Sequence, residues 1–315
     1  MATWLPIVLF VDRALPLAPF TEALAGELDC RDSVDAAEAE RVVALVTASE
    51  PVGADEVRPF AGLRVVLTCS TGTDHLDVAE LARRGVTVAS TPTYCSDEVA
   101  DHALACVLAG WRGLWTLGAD VRAGAWEPET MLRRFDAQRL GVVGLGRIGM
   151  RLAHRARLLG IDVVGCDPVV AAGAENVPRV TLDELLSTSD AVSLHLPARP
   201  GSPPLLGQRE IARLKPGALL VNLARAALVD VDAVVAALES GALGGAAFDV
   251  WTEEPPAADD PRLRTRGLLV TPHVGWSSPQ ADGAWRGEAI DALRAALAGP
   301  HGPAARVGAA ADYAV

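Results

Sequence analysis

Short apolar runs recur along the first third of the chain: IVLFVD at 7–12, VVALVT at 42–47, LRVVLTCS at 63–70 and VTVAST at 86–91. Between them lie stretches such as PLAPFTEALAGEL and VAELARRG, whose apolar positions return with helical spacing. Strands that alternate with helices predict an α/β domain built on a parallel sheet. From Asp97 to Leu117 the pattern lengthens into one Ala/Leu/Val-rich helix, a natural bridge between two lobes. A second series starts at Leu140 and reads LGVVGLG, IDVVGCD, DAVSLHLP, ALLVNLA, GGAAFDV and LLVTPHV, joined by helical segments such as MRLAHRARLLG and VDAVVAALESG. Six strands with crossovers predict a doubly wound nucleotide-binding sheet. After Gln280 the sequence ADGAWRGEAIDALRAALAG predicts a last helix returning to the first lobe, and GPHGPAARVGAAADYAV reads as a loosely packed tail. The expected division is a substrate lobe of residues 1–95 and 283–315 and a cofactor lobe of residues 96–282.

Composition narrows the function. The 315 residues carry 28 Lys+Arg against 40 Asp+Glu, a formal charge of −12, which opposes phosphate backbones and anionic bilayers. Nucleic acid and membrane are therefore not expected as partners. Five cysteines, Cys30, Cys69, Cys95, Cys106 and Cys166, form no CxxC pair, so neither a disulfide framework nor a zinc knuckle is expected. The N-terminal apolar stretch is interrupted by Asp12 and Arg13 and lacks a basic n-region, so it reads as a first strand. With no run of about 18 apolar residues either, the expected compartment is the cytoplasm.

The sharpest local signal is Gly144-Leu145-Gly146-Arg147-Ile148-Gly149, placed between a strand and the helix that follows it. Gly144 suits the tight turn, Gly146 a close approach of backbone to a pyrophosphate, and Gly149 the contact of helix with strand. The next strand ends at Asp167, near the distance of about 20 residues expected for the carboxylate that binds an adenosine ribose. Asp167 would repel a 2′-phosphate, and Pro168, Val169 and Val170 supply no cation, so NAD is expected rather than NADP. Three further strand ends carry chemistry: Arg225 after Val221-Asn222-Leu223-Ala224, Glu254 after Asp249, and His273 after Thr271-Pro272. A planar guanidinium can grip an oxo acid. An imidazole exchanges a hydroxyl proton near neutral pH, and a neighbouring carboxylate orients its ring. In the first lobe Ser70-Thr71-Gly72-Thr73 offers hydroxyls and amides to an anion. Asp74, His75 and Asp77 read as an acid-capped helix start, and no metal is assigned.

These stretches, together with TGTDHLD (71–77), SDEVADHALA (96–105), VRAGAW (121–126), VSLHLP (192–197), LKPGALLVNLAR (214–225), AAFDVWTEEP (246–255) and TPHVGWSS (271–278), resemble the D-isomer-specific 2-hydroxyacid dehydrogenase family. The nearest branch is that of the C-terminal-binding proteins and their bacterial relatives. The resemblance implies a Rossmann-type NAD-binding domain inserted in a smaller flavodoxin-like substrate domain. It also implies a small 2-oxo or 2-hydroxy acid as substrate, and a homodimer formed around Val121 to Trp126. Arg225, Glu254 and His273 would be the catalytic trio. His195, Leu196, Pro197 and Ala224 would line the cofactor, Asp249 would orient its nicotinamide carboxamide, and Trp276 would face the substrate. Ala226 departs from the family's glycine after the arginine. A second reading, drawn from the same branch, is an NAD(H)-sensing regulatory protein with little or no turnover.

Overall fold

The computed structural model describes residues 4–126, 131–169, 177–199 and 201–299. The described residues divide into two compact units, one formed by residues 4–95 with 278–299, the other lying between Ser96 and Ser277. The tail expected after Gly299, and Val170, lie outside the described residues.

In the first unit, strands β1 (Ile7–Phe10), β2 (Asp29–Arg31), β3 (Val42–Thr47), β4 (Val65–Thr68) and β5 (Thr87–Ser90) form a parallel sheet in the order β2-β1-β3-β4-β5. This is the flavodoxin order. Every residue of β1 and β4 is buried, because helices cover both faces of the sheet, and that is why these strands read as unbroken apolar runs. On one face Val8, Phe10, Val46 and Leu67 pack with Phe20 of helix α1 (Ala18–Ala23). The C-terminal helix Pro279–Ala298 adds Trp285, Ala289 and Leu293 to the same core. On the other face Ile7, Leu45, Val66 and Val88 meet Val57 of α2 (Ala54–Val57) and Leu81 of α3 (Val78–Arg83). Truncating Ile7, Leu45, Leu67, Leu81 or Leu293 to alanine costs on the order of 2–5 kcal/mol. Asp12, just beyond β1, is buried. Burial alone would raise its carboxyl, but the amides of Ala14, Ser49 and Ala48 and the Ser49 hydroxyl hold it below the usual range.

The second unit opens with α4 (Ser96–Trp111) and α5 (Leu114–Arg122). The single helix expected from Asp97 to Leu117 is broken at Gly113, whose φ of 62° is left-handed and ends the α4 register. Six parallel strands follow, β6 (Arg139–Val143), β7 (Asp162–Cys166), β8 (Ala191–Leu194), β9 (Ala218–Asn222), β10 (Leu243–Phe248) and β11 (Leu268–Val270), in the order β11-β10-β9-β8-β6-β7. Helices α6 (Arg147–Leu158), α7 (Leu182–Thr188), α8 (Gln208–Ile211) and α9 (Val231–Glu239) connect them. The chain reverses direction across the sheet between β6 and β8, so the turn that follows β6 sits at the switch point where such sheets bind ligands.

Cys30, Cys69, Cys95 and Cys106 are buried and Cys166, at the end of β7, is partly exposed; all are free thiols. Burial pushes Cys69 and Cys106 up to about 12 and Cys30 up to about 11. No helix among the described residues is long and apolar enough to cross a membrane.

Candidate functional site

The glycine turn after β6 is built for close backbone packing. Gly144 has φ 93°, and a Cβ there would lie 2.5 Å from the His195 carbonyl oxygen. A Cβ on Gly149 would stand 1.9 Å from the Gly144 carbonyl oxygen, so only glycine lets α6 start where it does. Gly146, in contrast, faces open space. It is the N-cap of α6, with no side-chain cap and no acid in the first turn. The helix therefore presents uncapped amides and its positive dipole end, the arrangement a pyrophosphate requires.

Asp167 follows β7 beside this turn. Its carboxylate accepts the Leu145 amide at 2.6 Å and the Val169 amide at 2.8 Å. It thus braces the glycine turn, a role the sequence does not announce. His195 follows β8, with its amide on the Val143 carbonyl at 2.8 Å and its ring Nε2 on the Ser193 hydroxyl at 2.9 Å. Burial pushes the ring down to about pKa 4, which favours the neutral imidazole. Its neighbour Leu196 lies against the same turn, 2.8 Å from where a Gly144 Cβ would be. The residues present fit a dinucleotide: an open uncapped helix start, a carboxylate at the next strand end and a neutral imidazole wall.

Arg225, Asp249 with Glu254, and His273 leave the same edge of three adjacent parallel strands, β9, β10 and β11. The buried Asn222 shapes the first of these loops: its amide donates to the Arg225 carbonyl at 2.9 Å and its oxygen accepts the Ala224 amide at 3.1 Å. Its backbone oxygen takes the Asp249 amide at 3.1 Å, tying the first loop to the second. Glu254 is held twice. Oε1 accepts the Trp251 amide at 2.8 Å, and Oε2 lies 2.7 Å from Nδ1 of His273. The structure thus brings Glu254 and His273 together, and the imidazole is left with Nε2 to meet a reactant. His273 has φ 52°, a left-handed backbone uncommon outside glycine.

Asp249 is 3% exposed, and its carboxylate accepts the Thr271 hydroxyl at 2.5 Å and the amides of Val274 and Gly275 at 2.9 and 2.7 Å. The carboxylate expected to hold a carboxamide is bonded to the segment around His273. His102, which has no evident partner in the sequence, has one here: its Nε2 lies 3.3 Å from the Thr271 hydroxyl, 169 residues away. Asn222, Thr271 and His102 were not legible as site residues, because their roles are made by tertiary contacts that no local spacing encodes. Trp276 lies in the turn three residues beyond His273 and is 37% exposed.

In the first unit the Ser70–Thr73 loop follows β4. The Ser70 hydroxyl donates to the Gly72 carbonyl at 2.7 Å, and Thr71 Oγ1 lies 3.6 Å from Cys95 Sγ. Asp77 caps α3 through the Glu80 amide, and His75 Nε2 lies 3.1 Å from the Thr68 hydroxyl.

Residues 104–275 match the profile of the D-isomer specific 2-hydroxyacid dehydrogenase, NAD binding domain. The D-3-phosphoglycerate dehydrogenase of Mycobacterium tuberculosis is 34% identical over 311 residues, covering 95% of this chain. The chain spans only 58% of that relative's length. The glyoxylate reductase of Korarchaeum cryptofilum is 35% identical over 248 residues, 76% of this chain and 74% of its own. Among solved structures, the D-lactate dehydrogenase of Aquifex aeolicus, complexed with NAD and lactic acid, superposes with a TM-score of 0.81 at 24% identity, covering 92% of this chain and 95% of that one, a likeness of fold. With more than half of its length matched by that profile, the chain belongs to the D-isomer-specific 2-hydroxyacid dehydrogenase family.

Proposed function

We propose that the protein is an NAD-dependent oxidoreductase that interconverts a small D-2-hydroxy acid and the corresponding 2-oxo acid. The observation that carries this reading is the Glu254–His273 pair, 2.7 Å apart at the edge of the dinucleotide-type sheet. NADH, when bound, supplies the hydride that reaches C2 of the oxo acid. Gly144, Gly146, Arg147, Ile148 and Gly149 hold the pyrophosphate, and Asp167 the adenosine ribose. Because Asp167 faces that ribose as an acid, a 2′-phosphate is disfavoured. Arg225 grips the carboxylate and carbonyl oxygen with its planar fork. Glu254 fixes Nδ1 of His273, so that Nε2 delivers its proton to the carbonyl oxygen as the alcohol forms. In oxidation the same nitrogen takes the hydroxyl proton. Trp276 limits the bulk of the side chain.

The test is oxidation of NADH, with NADPH in parallel, over a panel of 2-oxo acids. Turnover with a preference for NADH is expected. Tight NADH binding with no turnover on any acid would favour a dinucleotide-sensing protein instead.

A homodimer in the cytoplasm is part of this reading. Leu114, Val121, Trp126, Met131 and Leu132 are large, apolar and exposed within one short stretch, Trp126 at 85% and Met131 at 96%. A second copy is the partner that would cover them.

A further inference from the structure

Behind the His273 turn runs a hydrogen-bonded chain that the proton transfer itself does not use. It starts on α4 at His102, passes through the Thr271 hydroxyl at 3.3 Å, and continues to Asp249 at 2.5 Å. Asp249 then receives the amides of Val274 and Gly275, the two residues that follow His273. The donors and acceptors along it can be counted. The oxygens of an ionised carboxylate only accept, so the single Thr271 proton points to Asp249 Oδ1, which also accepts the Val274 amide. The hydroxyl must then accept from His102, whose proton is thereby placed on Nε2.

We propose that His102 and Thr271 are positioning residues: they orient the Asp249 carboxylate, which in turn holds the left-handed turn that aims His273. This rests on the assignment of His273 as proton carrier. The physical reason is that a left-handed backbone at a residue with a side chain is costly, and persists only where its surroundings fix it. The two amides after His273 are fixed by one buried carboxylate, so whatever rotates that carboxylate releases the turn. The Thr271 hydroxyl, bonded to Oδ1 beside the Val274 amide and met by His102 in turn, is a further tie against such a rotation. No role in binding the dinucleotide pyrophosphate follows from it, since that subsite is formed by the β6–α6 turn.

The experiment compares Thr271→Val, Thr271→Ser, His102→Leu, His102→Gln and the Thr271→Val/His102→Leu double variant, using an oxo acid that the parent reduces. Misplacement of a reacting group by about 1 Å costs about 100-fold. Thr271→Val is therefore expected to lower kcat by about 10- to 100-fold, and His102→Leu by a smaller factor, with the KM for NADH raised by much less than kcat is lowered. Thr271→Ser and His102→Gln keep a hydroxyl and an N–H donor, and should restore most of the rate. The double variant should be no slower than Thr271→Val, because both changes cut the same chain. Losses that multiply, an unchanged kcat in Thr271→Val, or no rescue by the conservative variants would overturn the proposal.

A second readout does not need turnover. Amide hydrogen exchange at Val274 and Gly275 should quicken in Thr271→Val and His102→Leu, and unchanged exchange there defeats the chain of contacts. A His273→Gln variant run alongside separates the two claims. If it keeps the parental rate, the proton carrier is misassigned and the positioning role falls with it. If it is slow while Thr271→Val is as fast as the parent, only the positioning role fails.

Discussion

Glu254 spends one oxygen on the Trp251 amide and the other on Nδ1 of His273, and this fixes what a conservative change there does. In Glu254→Gln the amide oxygen can still accept from Trp251, but its NH2 group is then turned toward Nδ1. A protonated imidazole donates from both nitrogens, so two donors face each other and the proton-bearing ring is disfavoured. We expect kcat for oxo-acid reduction to fall about 100-fold, with NADH binding retained, and His273→Gln to lose 10²–10⁴-fold, the usual span for general acid–base catalysis. Stopped-flow hydride transfer with fluorescence titration of NADH checks both. His195 makes a prediction about stability. Burial lowers its folded-state value to about 4 from an ordinary 6.5, so the fold favours the neutral ring. Below pH 6.5 the unfolded chain takes up a proton that the native state refuses. The native state therefore loses stability as pH falls from about 6.5 toward 4, by up to about 3 kcal/mol. Thermal unfolding at pH 7 and pH 5 should show a drop that is smaller in His195→Gln; equal drops would refute it.

At the level of elements, the glycine turn separates packing from binding. Gly149→Ala drives a methyl into the Gly144 carbonyl, 1.9 Å away, so β6 and α6 must part and the variant should unfold at markedly lower temperature. Gly146→Ala meets nothing within 4 Å and should keep its unfolding temperature while binding NADH more weakly, since the methyl occupies the approach of the pyrophosphate. Calorimetry on the two variants checks the contrast. Most of the strands were readable because parallel strands covered on both faces show unbroken apolar runs, as in β1, β4 and β9. β2 was missed: it is the three-residue edge strand Asp29-Cys30-Arg31, with only its middle residue buried, and such a segment carries no apolar run. The break between α4 and α5 was hidden for the opposite reason, since the Ala/Leu periodicity passes through Gly113 and only its backbone angle marks the end. Within the site, the Glu254–His273 contact was legible from family resemblance. The bracing of the glycine turn by Asp167 and the Asn222 scaffold under Arg225 were not, because both are hydrogen bonds to backbone groups brought near by folding.

For the whole molecule, the exposed apolar residues Leu114, Val121, Trp126, Met131 and Leu132 predict a light-scattering mass near twice the chain's 32.8 kDa, lowered toward the monomer by Trp126→Glu. A monomeric parent would refute the second copy as the partner of that surface. The burial of the cysteines has a practical consequence. Four of the five thiols are enclosed and three of those have burial pushing them to about 11 or 12, so under native conditions they are neither reached nor ionised at neutral pH. Cys166 alone is partly open, and it immediately precedes Asp167. A maleimide should therefore attach one equivalent per native chain, five after denaturation, and do so more slowly when NAD is present. The fold thus carries a single attachment point for a fluorescent reporter, one residue before the carboxylate proposed to hold the adenosine ribose of the cofactor.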